Sequence, residues 1–198
     1  DIEGSINKDK TAVLRVFAKM FYNHLGFFGE NLKVAMLEQY IDQLGKTEEF
    51  RRVFEAKKGK SWVDQRKAFA FNGKFIIPTL MEVLDMSEED AKRWFNDKTA
   101  VEFSIAQLVE DIKAYVKKQP KDFRLIFLID EVGQYVGTDT DMLLNLQSLT
   151  EKIGSECGGK VWVMCTGQEA IDEIIKVRAD EFSRIQARFK TRLSLSSS

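Results

Sequence analysis

Two adjacent carboxylates close an apolar run in this 198-residue sequence: Phe123 to Ile129 (FRLIFLI) leads directly into Asp130 and Glu131. If the run is a strand, side-chain alternation sends the two carboxylates in different directions. An apolar run closed by two carboxylates is also the Walker B pattern, in which Asp130 would hold a Mg²⁺ ion through its water shell and Glu131 would orient and polarise an attacking water. A second apolar run, Val161 to Thr166 (VWVMCT), ends in Thr166-Gly167-Gln168. Thr166 and Gln168 are both candidates to sense a γ-phosphate or the lytic water; either could equally cap a helix that begins near Glu169. Further on, Arg184 and Arg188 are four residues apart and share a helical face. Arg188, or less favourably Arg192, could reach a nucleotide held by a neighbouring subunit. Such a residue is worth about 10³–10⁵ in turnover in GTPases. The competing reading of these arginines is a solvated basic face.

The elements that must position these groups follow from periodicity. After Arg124 the first run shows no polar alternation, which predicts a strand buried on both faces. Thr138 and Asp139 are capping candidates for a helix carrying Met142, Leu143, Leu146, Leu149 and Ile153, closed by Gly154. The second run is another fully apolar strand, and Ile171, Ile174, Ile175 and Val177 open one more helix. Strand, helix and strand in this order predict a right-handed βαβ unit with a parallel pair. The carboxyl ends of such strands are where open α/β sheets bind ligands.

Upstream, Thr11 to about Lys118 reads as consecutive helices. Gly26 and Gly45 act as stops, and Phe50, Val53 and Phe54 mark a short third helix. Ser61 with Asp64, Ser87 with Asp90, and Ser104 with Gln107 predict N-caps. The helix after Ser61 is expected to contain Val63, Phe69 and Phe71 in its sequence and to be interrupted at Gly73. Pro78 is expected in the first turn of the next helix, and Pro120 at the end of the block. The fold class is therefore α/β and helix-dominated. The expected organisation is a helical region, residues 1–120, followed by a chemistry-bearing region, residues 121–198.

Composition narrows the function classes. Thirty Lys and Arg against 31 Asp and Glu give a net charge of −1, which excludes a whole-molecule basic footprint for nucleic acid. Only 2 Pro, with 15 Phe, favour aromatic-packed helices over a loop-rich β fold. No run approaches the roughly 18 apolar residues of a membrane span. Cys157 and Cys165 fit neither a zinc nor a CxxC spacing, which suggests packing roles in a cytosolic, reducing setting. A single histidine, His24, excludes a histidine-based triad or multi-histidine metal site.

Gly59-Lys60-Ser61 looks like the end of a phosphate loop, GxxxxGK(S/T). Position 54, however, is Phe rather than Gly, and the segment follows a helix instead of a strand. No other phosphate loop is present in the chain. Apolar residues followed by Asp-Glu form a Walker B pattern, here without a Walker A.

Four stretches carry a family resemblance: LIFLIDEVGQYVG (Leu125 to Gly137), LLNLQSLTEKIG (Leu143 to Gly154), KVWVMCTGQEAID (Lys160 to Asp172) and FSRIQARFKTRLSLSSS (Phe182 to Ser198). Together they closely resemble the large P-loop ATPase of BREX phage-defence systems, the BrxC/PglY family. Upstream, the stretch from Val13 to Lys46 looks like that family's helical insertion. The resemblance implies an internal fragment of a long bacterial cytoplasmic protein, with the Walker A before residue 1. It implies a partial ASCE-type P-loop NTPase core that uses Mg²⁺ and ATP when intact. It also implies partner BREX proteins, including a DNA methyltransferase, and through them DNA.

Without the Walker A strand, Val161 to Thr166 is expected to form an apolar sheet edge prone to self-association. This chain alone is expected to lack ATPase activity. Two other readings compete. One is a helical interaction or nucleic-acid-binding module in which Lys57, Lys58, Lys60, Lys117 and Lys118 meet phosphate. The other is a degenerate ATPase with a scaffold role.

Overall fold

A computed structural model of the chain describes residues 12–97, 103–130 and 140–166. It is helix-dominated, with one small parallel sheet. Two compact units divide the chain: Ala18–Glu102, and Asp1–Phe17 together with Phe103–Ser198. Helix α1 (Ala12–His24) contributes residues to both. The units meet in sequence at 17/18 and 102/103. The last helix before the sheet therefore groups with the sheet.

The helical unit contains α2 (Leu32–Gln43), α3 (Thr47–Lys58), α4 (Trp62–Gln65), a 3₁₀ segment (Arg66–Phe71), α5 (Gly73–Leu84) and α6 (Glu88–Asn96). Their apolar stripes meet in a core of Val34, Ile41, Phe50, Phe54, Trp62, Ile76 and Leu80 with their neighbours. The Trp62 ring stands edge-on to Phe50 and to Phe54, with centroids 5.1 Å away in each case. Burying such side chains stabilises by roughly 1.5–3 kcal/mol each. Two expected caps form here: Ser61 Oγ accepts from Asp64 N at 3.2 Å, and Ser87 Oγ from Asp90 N at 3.1 Å. Asn31 caps α2 by accepting from Lys33 N and Val34 N.

Three local expectations fail in this unit. The helix opened by Ser61 lasts only four residues before the chain tightens to 3₁₀. Phe69 in that stretch is buried, and Val63 and Phe71 are 46% and 88% exposed, exposures on which the sequence made no prediction. Gly73 does not interrupt a helix; it begins α5, where a Cβ would lie 2.7 Å from Phe95 Cε1. Pro78 consequently lies inside α5, past its first turn, where it lacks the N–H that the Lys74 carbonyl would accept. At the next residue, the Thr79 hydroxyl donates to the Phe75 carbonyl at 2.7 Å.

The second unit contains the start of α1, α7 (Ile105–Lys117), β1 (Leu125–Ile129), α8 (Thr140–Glu156) and β2 (Val161–Cys165). Ser104 Oγ caps α7 by accepting from Gln107 N at 3.1 Å, as expected. α8 runs through Gly154 rather than ending there. β1 and β2 pair in parallel, from Leu125 opposite Val161 to Ile129 opposite Cys165, as the βαβ pattern implies. Phe127 and Val161 are buried, and so are Leu146, Leu149 and Ile153 of α8 and Leu108, Val109 and Ile112 of α7. The Phe127 ring packs 5.1 Å from that of Phe17.

The strands are not buried on both faces. Ile126, Leu128, Trp162 and Met164 are 47%, 69%, 53% and 45% exposed, so helices cover one side of the pair and leave the other open. Among the described residues, no helix is long and apolar enough to cross a membrane.

Candidate functional site at the strand tips

Register brings the two strand tips together. Because Ile129 lies opposite Cys165, the next residues, Asp130 and Thr166, leave the sheet side by side. The ladder extends one step further, with Thr166 N donating to the Ile129 carbonyl at 2.9 Å. Beyond that bond, the Thr166 hydroxyl donates to Asp130 Oδ1. Both side chains are exposed, so the pair stands at an open carboxyl edge of the sheet. A residue pair 36 positions apart in sequence is thus joined by strand pairing alone.

The chemistry available there is that of one carboxylate oriented by one hydroxyl. No cluster of three or more His, Cys, Asp or Glu that could cage a metal occurs among the described residues. A lone carboxylate still fits Mg²⁺, which keeps several waters and is usually bound by one or two carboxylates plus substrate phosphates. Asp130 is thus suited to hold a hydrated ion, with Thr166 fixing one of its oxygens.

Glu131, Gln168, Arg184, Arg188 and Arg192 lie outside the described residues, as do the helix expected from Ile171 and the caps Thr138 and Asp139. Of the candidate site residues, the fold therefore brings together Asp130 and Thr166.

The cysteines behave as packing residues. Both are free. Burial pushes the Cys165 thiol up to about 11. Burial, aided by the neighbouring Glu156 carboxylate, also raises Cys157. Neither is a thiolate nucleophile near neutral pH.

The phosphate-loop lookalike is resolved by backbone conformation. Gly59 takes a left-handed φ of 72° and closes α3, with Lys57 and Lys58 in that helix's last turn. It ends a helix instead of following a strand. Of the lysines that could meet phosphate, Lys57, Lys58 and Lys60 lie at this helix end, while Lys117 and Lys118 close α7 in the other unit.

Sequence reasoning missed a buried carboxylate that ties several pieces of the helical unit together. Glu38, 8% exposed, accepts from Phe28 N, Trp62 Nε1 and Arg66 Nη1 at 2.6, 2.7 and 2.9 Å. Nothing in the spacing of four residues spread over positions 28 to 66 signals this. No family model matches the chain, and no solved structure matches it.

Proposed function

We propose that residues 121–198 are the Walker B and sensor half of a Mg²⁺-dependent ATPase related to the large BREX phage-defence ATPase, and that the helices before them are an insertion into it. The observation that carries this is the Thr166–Asp130 hydrogen bond across the carboxyl ends of two neighbouring parallel strands. A Walker B aspartate and a polar sensor on the adjacent strand require that adjacency. In this role Asp130 holds Mg²⁺ through water, Glu131 positions the lytic water, and Thr166 or Gln168 senses the γ-phosphate. Arg188, with Arg192 as the alternative, serves a neighbouring subunit's nucleotide. The bound metal and ATP supply the electrophilic phosphoryl group.

Such an ATPase needs a phosphate loop, and these 198 residues contain none. It has to come from outside them, on a strand pairing with the outer edge of β2. In the intact bacterial cytoplasmic protein, hydrolysis would drive remodelling or assembly of a defence complex on DNA, together with partners that include a methyltransferase.

The test is ATP binding and turnover by the longest natural protein that contains this chain. Glu131→Gln should retain Mg²⁺-ATP binding while turnover falls by at least about a hundredfold, the scale of a lost general base. Thr166→Val should lower turnover as well. Turnover indifferent to Glu131→Gln, or a natural protein with no GxxxxGK(S/T) before Asp1, would refute the assignment.

A further inference from the structure

A separate feature of the helical unit is its charge distribution. Residues Lys57 to Lys74 (KKGKSWVDQRKAFAFNGK) carry six cations, Lys57, Lys58, Lys60, Arg66, Lys67 and Lys74, against the single carboxylate Asp64. The chain as a whole has a net charge of −1, so this is a local concentration. Two of the six are neutralised: Lys57 pairs with Glu82 at 2.6 Å and Arg66 with Glu38 at 2.9 Å. Lys58, Lys60, Lys67 and Lys74 make no ion pair among the described residues.

Two of these four converge. The Lys58 ammonium, from the end of α3, lies 4.5 Å from the Phe75 ring centroid, and that of Lys74, from the start of α5, lies 4.9 Å from it. Each ammonium is held by the ring's electron-rich face, which concentrates two positive charges around one side chain.

An aromatic ring stands in the same segment. Phe71 is 88% exposed although Phe69, two residues earlier, is buried. The segment is held in place: Asn72, 3% exposed, donates to the Gln65 and Ala68 carbonyls at 3.1 and 3.2 Å. Phe71 is thus presented to solvent by a fixed backbone.

We propose that this segment binds single-stranded nucleic acid, with Lys58, Lys60, Lys67 and Lys74 meeting phosphates and Phe71 stacking on a base. Cations that track a backbone beside an exposed ring are the two components of sequence-tolerant single-strand binding. A duplex keeps its base faces covered and offers the ring nothing. An anionic membrane fits less well, because Val63 is the only other large apolar side chain exposed in the segment and one ring with one valine gives no apolar face to insert. The site is independent of the strand-tip chemistry and stands whether or not the chain belongs to an ATPase.

The test is fluorescence anisotropy of labelled 15-nucleotide oligo(dT) and oligo(rU), titrated with the 198-residue chain. Four phosphate contacts on a single strand imply a log–log salt slope near −2.8, or about 50-fold weaker binding at 200 mM than at 50 mM salt. Phe71→Ala should weaken binding by about five- to a hundredfold and leave the slope unchanged. Lys58→Gln with Lys74→Gln should bring the slope to about −1.4. Since Phe71 is exposed, its variant should keep the wild-type circular dichroism and unfolding midpoint. Binding of either oligonucleotide in this manner supports the site, and the stronger of the two identifies DNA or RNA as the ligand. The proposal is overturned by no binding at 50 mM salt, by affinity indifferent to Phe71→Ala, or by equally tight duplex binding. Phe71-dependent binding to phosphatidylserine vesicles without oligonucleotide binding would overturn it too.

Discussion

Removing the Glu38 carboxylate should cost the helical unit more than any exposed charge change. Its three donors come from the loop after α1, from α4 and from the 3₁₀ segment, so one side chain of α2 ties three other pieces together. Arg66 is itself largely buried, with 16% of its side chain exposed. It also donates to the Gly26 carbonyl at 3.0 Å and stands 5.4 Å from the Phe28 ring centroid. Glu38→Ala would leave a buried indole N–H unmet and a mostly buried guanidinium without its counter-charge. An unmet buried donor costs about 1–3 kcal/mol. Breaking a buried ion pair by removing one partner costs about 3–5 kcal/mol in all. For a unit of 60–100 residues, 1 kcal/mol moves the melting temperature by about 4–8 °C. A fall of more than about 12 °C is therefore expected. Glu38→Gln keeps an acceptor for Trp62 and should lose about half as much. Adding Arg66→Met to Glu38→Gln should give less than the sum of the two losses, with a coupling of at least about 1 kcal/mol. Thermal melts followed by Trp62, only 2% exposed, measure all three variants. A Glu38→Ala shift below about 4 °C, or additive variants, would refute the claim that the buried pair holds the unit together.

Two glycine substitutions should move stability in opposite directions. A Cβ on Gly29 would sit 2.4 Å from the Lys19 carbonyl oxygen, so Gly29→Ala should destabilise by about 1–3 kcal/mol. Gly154 is an exposed position inside α8 with nothing near its missing Cβ, and Gly154→Ala should stabilise by about 0.5–1 kcal/mol. Melts of both variants check the pair, and equal shifts would count against the packing at Gly29. Cys165 makes stability depend on pH in the alkaline range. Its pKa is raised from 9.0 to about 11 in the fold, so the unfolded chain loses that proton first as pH rises. The thiol's contribution is whole below pH 9 and is lost by about pH 11. The stability gap between wild type and Cys165→Val should shift against wild type over that interval, as urea midpoints at pH 8 and pH 10.5 would record. A gap that stays constant would show that the thiol is not buried as described.

What the sequence disclosed depends on how local the signal is. Ser61, Ser87 and Ser104 were legible as caps because a cap is a four-residue device, and the donor each bonds lies within that span. The parallel pair was legible because two apolar runs flank a helix-period segment. Gly73 misled because a glycine carries the same letter whether it stops a helix or lets a ring approach; only the fold reveals Phe95 above it. Pro78 was displaced by the same error, since its place in α5 depends on where that helix begins. The Asp130 and Thr166 positions were legible as strand tips. Their mutual hydrogen bond needs the register, which no spacing within either run specifies.

The open face of the sheet ties these observations together. β1 and β2 are apolar at every position, a composition suited to cover on both sides. The described helices supply one cover. In the parallel register Ile126 is paired with Trp162 and Leu128 with Met164, so the exposed residues form one continuous patch. A two-stranded sheet with one bare apolar face is marginal in water. A second layer on that face would bury all four of these side chains. Laterally, each strand has one partner and one unpaired edge among the described residues. The Asp130–Thr166 pair sits at the carboxyl end of this incompletely covered sheet.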